Sequence, residues 1–168
     1  MNLIRIFRHL FTGQLAVRRM FPCASLNAIE KMIEQSEAGY SGEIVFAIED
    51  SLGLMPLISG QSARERAVEV FSLLRVWDTQ QDNGVLVYLL LADHDIEIVA
   101  DRGIDAKVGK ENWEVICHEM ETAFREGQYD TGVMMGISKI GHLMRQYFPV
   151  VLEDGKRNNE LPDKPVVL

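Results

Sequence analysis

The stretch Gln81–Ile104, QDNGVLVYLLLADHDIEIVADRGI, decides how this chain is read. Its first apolar run, Gly84–Ala92, shows no alternation. A strand apolar on both sides must be covered on both faces, as in a sheet sandwiched between helices. The second run, Ile96–Ala100, alternates better and belongs nearer a sheet edge. Only Asp93, His94 and Asp95 lie between the two. A parallel crossover needs about a dozen residues or more, so the pair is predicted to be antiparallel and joined by a tight turn.

The flanking segments supply the covering layers. Leu26, Ile29 and Ile33 recur on one helical face, with Gly39 as a stop. GEIVFAIE, residues 42–49, is β-rich and reads as a first strand. DSLGLMPLISGQ, residues 50–61, reads as a loop by its glycines and proline. Ser62 and Glu65 form a capping box ahead of a face built from Ala67, Val70, Phe71, Leu74 and Trp77. Beyond the hairpin, Trp113, Ile116, Cys117, Met120 and Phe124 share one helical face. Val133, Ile137, Ile140, Met144 and Tyr147 share another, which Pro149 ends. The order helix, strand, helix, strand, strand, helix, helix predicts a three-layer α/β/α sandwich around a small mixed sheet of about three or four strands. That domain is expected to span residues 23–149. A basic helical arm, 1–22, precedes it, and a polar tail, 150–168, follows, in which EDGKRNNELPDKP, residues 153–165, has the composition of a disordered segment.

Bulk properties narrow the function. At 168 residues, 47% hydrophobic and 25% charged, the chain has the make-up of one soluble domain. A net charge of −8 excludes nonspecific nucleic-acid binding, which needs a positive field. The charge is unevenly placed: residues 1–22 carry Arg5, Arg8, Arg18 and Arg19 and no acid, whereas the rest has 13 basic against 25 acidic side chains. A body at −12 attracts divalent cations. Cys23 and Cys117 make neither a disulfide framework nor a metal spacing, which fits a reducing cytoplasm. No apolar run reaches the roughly 18–20 residues of a membrane span. Arg5, Arg8 and His9 interrupt what would be the apolar region of a signal peptide, so a cytoplasmic location is expected. Leu3, Ile4, Phe7, Leu10 and Phe11 have helical spacing. They read as an amphipathic helix folded back onto the acidic body, in preference to a helix lying on a membrane.

Two places could carry chemistry. Asp93-His94-Asp95, just past a buried strand, imitates the Asp-x-Asp of aspartyl phosphoryl transfer. In that chemistry the chain leaves the strand into a loop and helix; here it turns straight back, so a tight turn is the better reading. No GxSxG or GxxxxGK[ST] is present, and Cys117 and His118 diverge by about 100° on their helix. The second place follows from the antiparallel pairing. It brings Asp82 and Asn83, at the start of one strand, beside Asp101 and Arg102 at the end of the other. Asp78 and Asp105 could join the same corner. Carboxylates on loops without His or Cys suit Ca²⁺ or Mg²⁺. The same acids would equally form a solvated rim, with Asp82-Asn83-Gly84 serving only the turn; spacing alone leaves both open.

With these residues in view, the sequence resembles a known family. DNGVLVYLLLADHDIEIVADRGI, then a Trp-bearing helix and AFREGQYDTGVMMGISKIGHLMRQYFP, is similar to the TPM domain, the family of the thylakoid-lumen acid phosphatases. The resemblance covers Ala24–Pro149. It rests on the Asn-Gly strand start, the acid-bearing hairpin, the glycine after the second strand and the Phe-Arg-x-Gly helix end. It implies an α/β/α sandwich, acid phosphatase activity as in the plant members, and divalent-cation binding, chiefly of calcium. Asp82, Asn83 and Gly84 match the strand-start motif, Gly103 matches the later glycine, and the acidic corner lies where the family's site is placed. Without a signal peptide or anchor, the chain resembles the short soluble bacterial branch. Two functions are therefore expected. The preferred one is a cation-binding accessory module acting on an unidentified protein partner, because no nucleophile stands at the corner. The alternative is a metal-dependent phosphatase.

Overall fold

The computed structural model describes residues 3–150 and 159–168. Helices α1 (Leu3–Phe11) and α2 (Gln14–Met20) form the arm, and α3 (Cys23–Glu37) leads into β1 (Glu43–Glu49). α4 (Leu54–Ser59) and α5 (Ala63–Leu73) cross to β2 (Gly84–Leu90), which turns into β3 (Asp95–Ala100). α6 (Arg102–Val108), α7 (Lys110–Arg125) and α8 (Tyr129–Tyr147) follow, and β4 (Val166–Val167) lies near the end. The sheet order is β3-β2-β1-β4, with β1 parallel to β2 and β4, and β2 antiparallel to β3.

Both central strands are buried along their whole length, which is why Gly84–Leu90 shows no alternation. Val85, Val87 and Leu89 face the layer of α3, α7 and α8 through Ile33, Met120 and Ile137. Leu86, Tyr88 and Leu90 face α4 and α5 through Leu57, Ala67 and Val70. These are the three layers expected. β3 is the edge strand and alternates accordingly. The buried carboxylate of Glu49 accepts from Tyr88 Oη at 2.6 Å and from Arg66 at 2.8 and 2.9 Å, so the charge on β1 is matched by α5.

Four local expectations change. Residues 54–59 of the presumed loop form α4: Leu57 anchors it in the core, Pro56 sits in the first turn, and Gly60 at φ 80° closes it. The capping box at Ser62 and Glu65 is present, but α5 ends at Leu73 and Arg75 turns left-handed at φ 55°. That turn buries Val76 and leaves Trp77 about half exposed, so Trp77 is not on the core face. The segment after β3 forms a separate helix, α6, capped by Asp101. The polar tail holds to the body: Glu160, within the stretch expected to be disordered, accepts the Gln80 N–H at 3.0 Å, and beyond it Val166 and Val167 pair with Ala47 and Ile48. Residues 153–158 of that stretch lie outside the described residues.

Gly84 opens β2 because nothing larger fits. A Cβ there would lie 2.0 Å from Val76 O, a backbone atom that cannot move alone. Gly84→Ala should lower the unfolding free energy by about 1–3 kcal/mol, read as a shifted urea midpoint at unchanged slope.

Candidate functional site

The open end of the β2–β3 hairpin is the corner where Asp82 and Asp101 meet. Its last rung is Asp101 N donating to Gly84 O at 2.9 Å, followed by Ile104 N to Asp82 O at 3.2 Å. Gly103 makes that closure possible, since a Cβ on it would stand 2.6 Å from Asp82 O. Asp82 takes φ 51°, a left-handed conformation that Asp tolerates. Its carboxylate binds the exposed Arg102 guanidinium at 2.9 and 3.3 Å.

Asp101 is the buried member of the pair. Its Oδ1 accepts the Arg102 N–H at 2.8 Å, capping α6. Its Oδ2 is buried and has no partner among the described residues. Burial pushes the Asp101 carboxyl above the usual range, and the charge of Asp82 adds to this against the Arg102 N–H. Asn83 is fully buried: Thr79 Oγ1 accepts its N–H at 3.0 Å, yet neither Oδ1 nor Nδ2 of its side chain has a partner among the described residues. Buried amides and carboxylates are ordinarily paired, so the free oxygen of Asp101 and the side-chain amide of Asn83 each stand out as polar groups left open.

The other two sequence candidates point elsewhere. Asp105 accepts from Trp113 Nε1 at 2.9 Å, on the α7 side of α6. Asp78 is exposed and pairs with Arg75 at 2.6 Å. The structure thus joins Asp82, Asn83, Asp101 and Arg102, and gives Asp78 and Asp105 other partners.

Asp93-His94-Asp95 is a turn, with a 3₁₀ turn at Leu91–Asp93 and His94 left-handed at φ 53°. Arg5 lies 2.8 Å from the Asp93 carboxylate, Arg8 also pairs with it, and His9 Nε2 is 3.1 Å away. Burial raises this carboxyl, but Arg5 and His9 outweigh it and hold the group below its ordinary value. The arm folds back onto the acidic body here, as expected.

Sequence reasoning missed an acidic cleft of about 590 Å³ between β3 and α7. Asp95, Glu97 and Glu121 line it, with Cys117 and His118. Burial, then Glu97, Glu121 and Asp93, push Asp95 up to about 6. Burial also raises Glu97, against Arg64. The Cys117 thiol is pushed up to about 12 by burial and is no nucleophile at neutral pH. The legible signal was Asp95 and Glu97, two apart on one face of an edge strand. A further group, Glu37, Glu43 and Asp163, places three carboxylate oxygens within 4.8 Å of one another. Glu37 there accepts from Ile44 N and Glu43 from Glu160 N.

The TPM domain family matches residues 18–143, three quarters of the chain. The chain belongs to the TPM domain family. Among solved structures, this TPM domain is similar to the BA42 protein of the psychrophilic bacterium Bizionia argentinensis: 28% identity, TM-score 0.74, covering 88% of this chain and 94% of that one. The N-terminal domain of a P. gingivalis protein shares the fold at 15% identity and TM-score 0.62, over 77% of this chain and 79% of that one. No curated protein matches the chain. No helix among the described residues of this TPM domain is long and apolar enough to cross a membrane.

The raised Asp95 carboxyl gives a test of the cleft. Between the ordinary aspartate range and about 6, the native state holds a proton that the unfolded chain has lost, so its contribution to stability falls as pH rises through that window. Asp95→Asn should therefore raise the melting temperature at pH 7–8, and the gain should vanish towards pH 4, by thermal melts across that range.

Proposed function

We propose that this TPM domain is a divalent-cation-binding module that takes Ca²⁺ or Mg²⁺ at the corner of Asp82 and Asp101 and serves a protein partner rather than turning over a substrate. The observation that carries the reading is the buried Oδ2 of Asp101, which has no partner among the described residues and stands within reach of the charge of Asp82. A raised carboxyl with an unsatisfied oxygen gains from a cation, and an all-oxygen donor set is the chemistry hard cations take. Asp101 and Asp82 would supply the charge, and Asn83 would shape the start of β2 behind them. Bound there, the cation would supply charge neutralisation and a fixed geometry for the start of β2. Asp105 and Asp78 stay outside this set, because Trp113 and Arg75 hold them.

Arg102 is the native competitor. Its guanidinium occupies the Asp82 carboxylate in an exposed pair, and such pairs contribute about 0–1 kcal/mol, so a divalent ion displaces it at little cost. The phosphatase alternative also draws on Arg102, since a guanidinium 83% exposed at the rim of the corner suits a phosphate oxygen. The corner residues Asp82, Asn83, Asp101 and Arg102 include no hydroxyl or thiol nucleophile, so hydrolysis there would rest on water activated by the ion.

Calorimetric titration with Ca²⁺ should give a dissociation constant on the order of 10⁻⁴–10⁻³ M. The heats should be lost in Asp101→Asn, and binding should tighten, by up to about fivefold, in Arg102→Gln. Heats unchanged in an Asp82→Asn, Asp101→Asn double variant would move the site elsewhere. Metal-dependent phosphate release from a chromogenic ester that disappears in Asp82→Asn would establish the phosphatase reading instead.

A further inference from the structure

Helix α1 docks with its polar side. Arg5 and Arg8 pair with Asp93, and the buried His9 has Nε2 3.1 Å from the same carboxylate while its Nδ1 accepts Leu52 N–H at 3.0 Å. These contacts fix the rotation of the helix and turn its apolar side outward: Leu3, Ile4, Phe7, Leu10 and Phe11 are each between 58% and 85% exposed. Leu15 of α2 is 81% exposed, while Val17 anchors α2 in the core. A second element near this junction also carries exposed apolar side chains. The Leu52 amide that His9 holds stands two residues before α4, whose Leu54, Met55 and Ile58 are also more than half exposed. Scattered surface leucines need no explanation, but five large apolar side chains left exposed on one side of a nine-residue helix mark a contact surface.

Charge selects what covers it. Residues 1–22 hold four arginines and no acid, and Arg18 and Arg19 are exposed with no ion pair among the described residues, whereas the rest of the chain stands at −12. A second copy packed symmetrically would set one basic arm against another, since a two-fold interface apposes like patches. An anionic lipid surface attracts the arm and repels the body, so only this face would approach it. Phenylalanine and leucine on one side of a short helix, with arginines beside them, are the make-up of a helix lying in the headgroup layer. We propose that the α1–α2 face docks peripherally on anionic membranes, the apolar side chains of α1 entering the headgroup boundary and Arg18 and Arg19 meeting lipid phosphates.

The test is co-sedimentation of the full chain with vesicles of mixed phosphatidylcholine and phosphatidylglycerol, against phosphatidylcholine alone. The protein should pellet with the anionic vesicles only and be released by high salt. Ile4→Ser, Phe7→Ser, Phe11→Ser combined should abolish pelleting, and Arg18→Glu, Arg19→Glu should weaken it about tenfold or more. Because every substituted side chain is exposed, the melting temperatures of both variants should match the wild type; this separates lost docking from lost folding. Wild-type protein that stays in the supernatant with anionic vesicles overturns the proposal, as does equal pelleting on neutral ones. A concentration-dependent dimer that the triple serine variant dissolves, without vesicle binding, also overturns it and assigns the face to a second copy.

Discussion

Each backbone amide and carbonyl of Gly84–Leu90 must find its partner inside the protein, because both faces of that strand are sealed from water. β1 meets one edge in parallel, and β3 meets the other in antiparallel register from Val85↔Ala100 to Leu90↔Asp95. The rest of the architecture follows from that need. Two apolar faces require two helical layers, and the parallel partner requires a crossover, which α4 and α5 provide on the face that Leu86, Tyr88 and Leu90 present. The same register places Asp101 against the first residue of β2 and Asp93 at the far end, so one hairpin sets the position of both acidic sites.

Those two ends resolve the same physical problem in opposite ways. A carboxylate withdrawn from water needs compensating charge or hydrogen bonds. At the turn, Asp93 receives Arg5 and Arg8, with His9 alongside, and its carboxyl is held low. At the corner, Asp101 has one backbone N–H for one oxygen and, among the described residues, nothing for the other, and its carboxyl is pushed up. The net charge of the chain conceals this contrast. What distinguishes the corner from any solvated acidic rim is that Asp101 is buried, with one carboxylate oxygen left without a partner among the described residues.

The sheet and layers were legible because they are written in local periodicity: an unbroken apolar run, a three-residue turn, and helical faces such as Val133, Ile137, Ile140 and Met144. So was the meeting of Asp82 with Asp101, which follows from antiparallel pairing alone. What escaped the sequence depends on contacts between distant segments. β4 has two residues, too few for any pattern, and exists because the edge of β1 is open to it. The exposed Trp77 depends on a left-handed Arg75, which nothing in the helical face anticipates. Asp105 could not be assigned until Trp113, eight residues on, was seen to donate to it. The cleft acids Asp95 and Glu121 belong to different elements and meet only in the folded chain.

The arm shows the same division most sharply. A helical period reveals two faces but not which of them turns inward; here the choice is made by Asp93, far along the chain. Fully burying a large apolar side chain contributes about 1.5–3 kcal/mol, so five of them left mostly in water forgo more than a few ion pairs at the surface, at about 0–1 kcal/mol each, return. Partial burial of Asp93 makes its pairs stronger than that lower figure, since an unpaired buried carboxylate is costly; they set the rotation of the helix without recovering all that the exposed apolar side forgoes. The α5 side of the sheet is already filled by Leu57, Ala67, Val70 and Val76, leaving only Ile6 of α1 to pack there. An arm anchored through its charges, with its apolar face turned away from a completed core, is most stable when something other than water lies against that face.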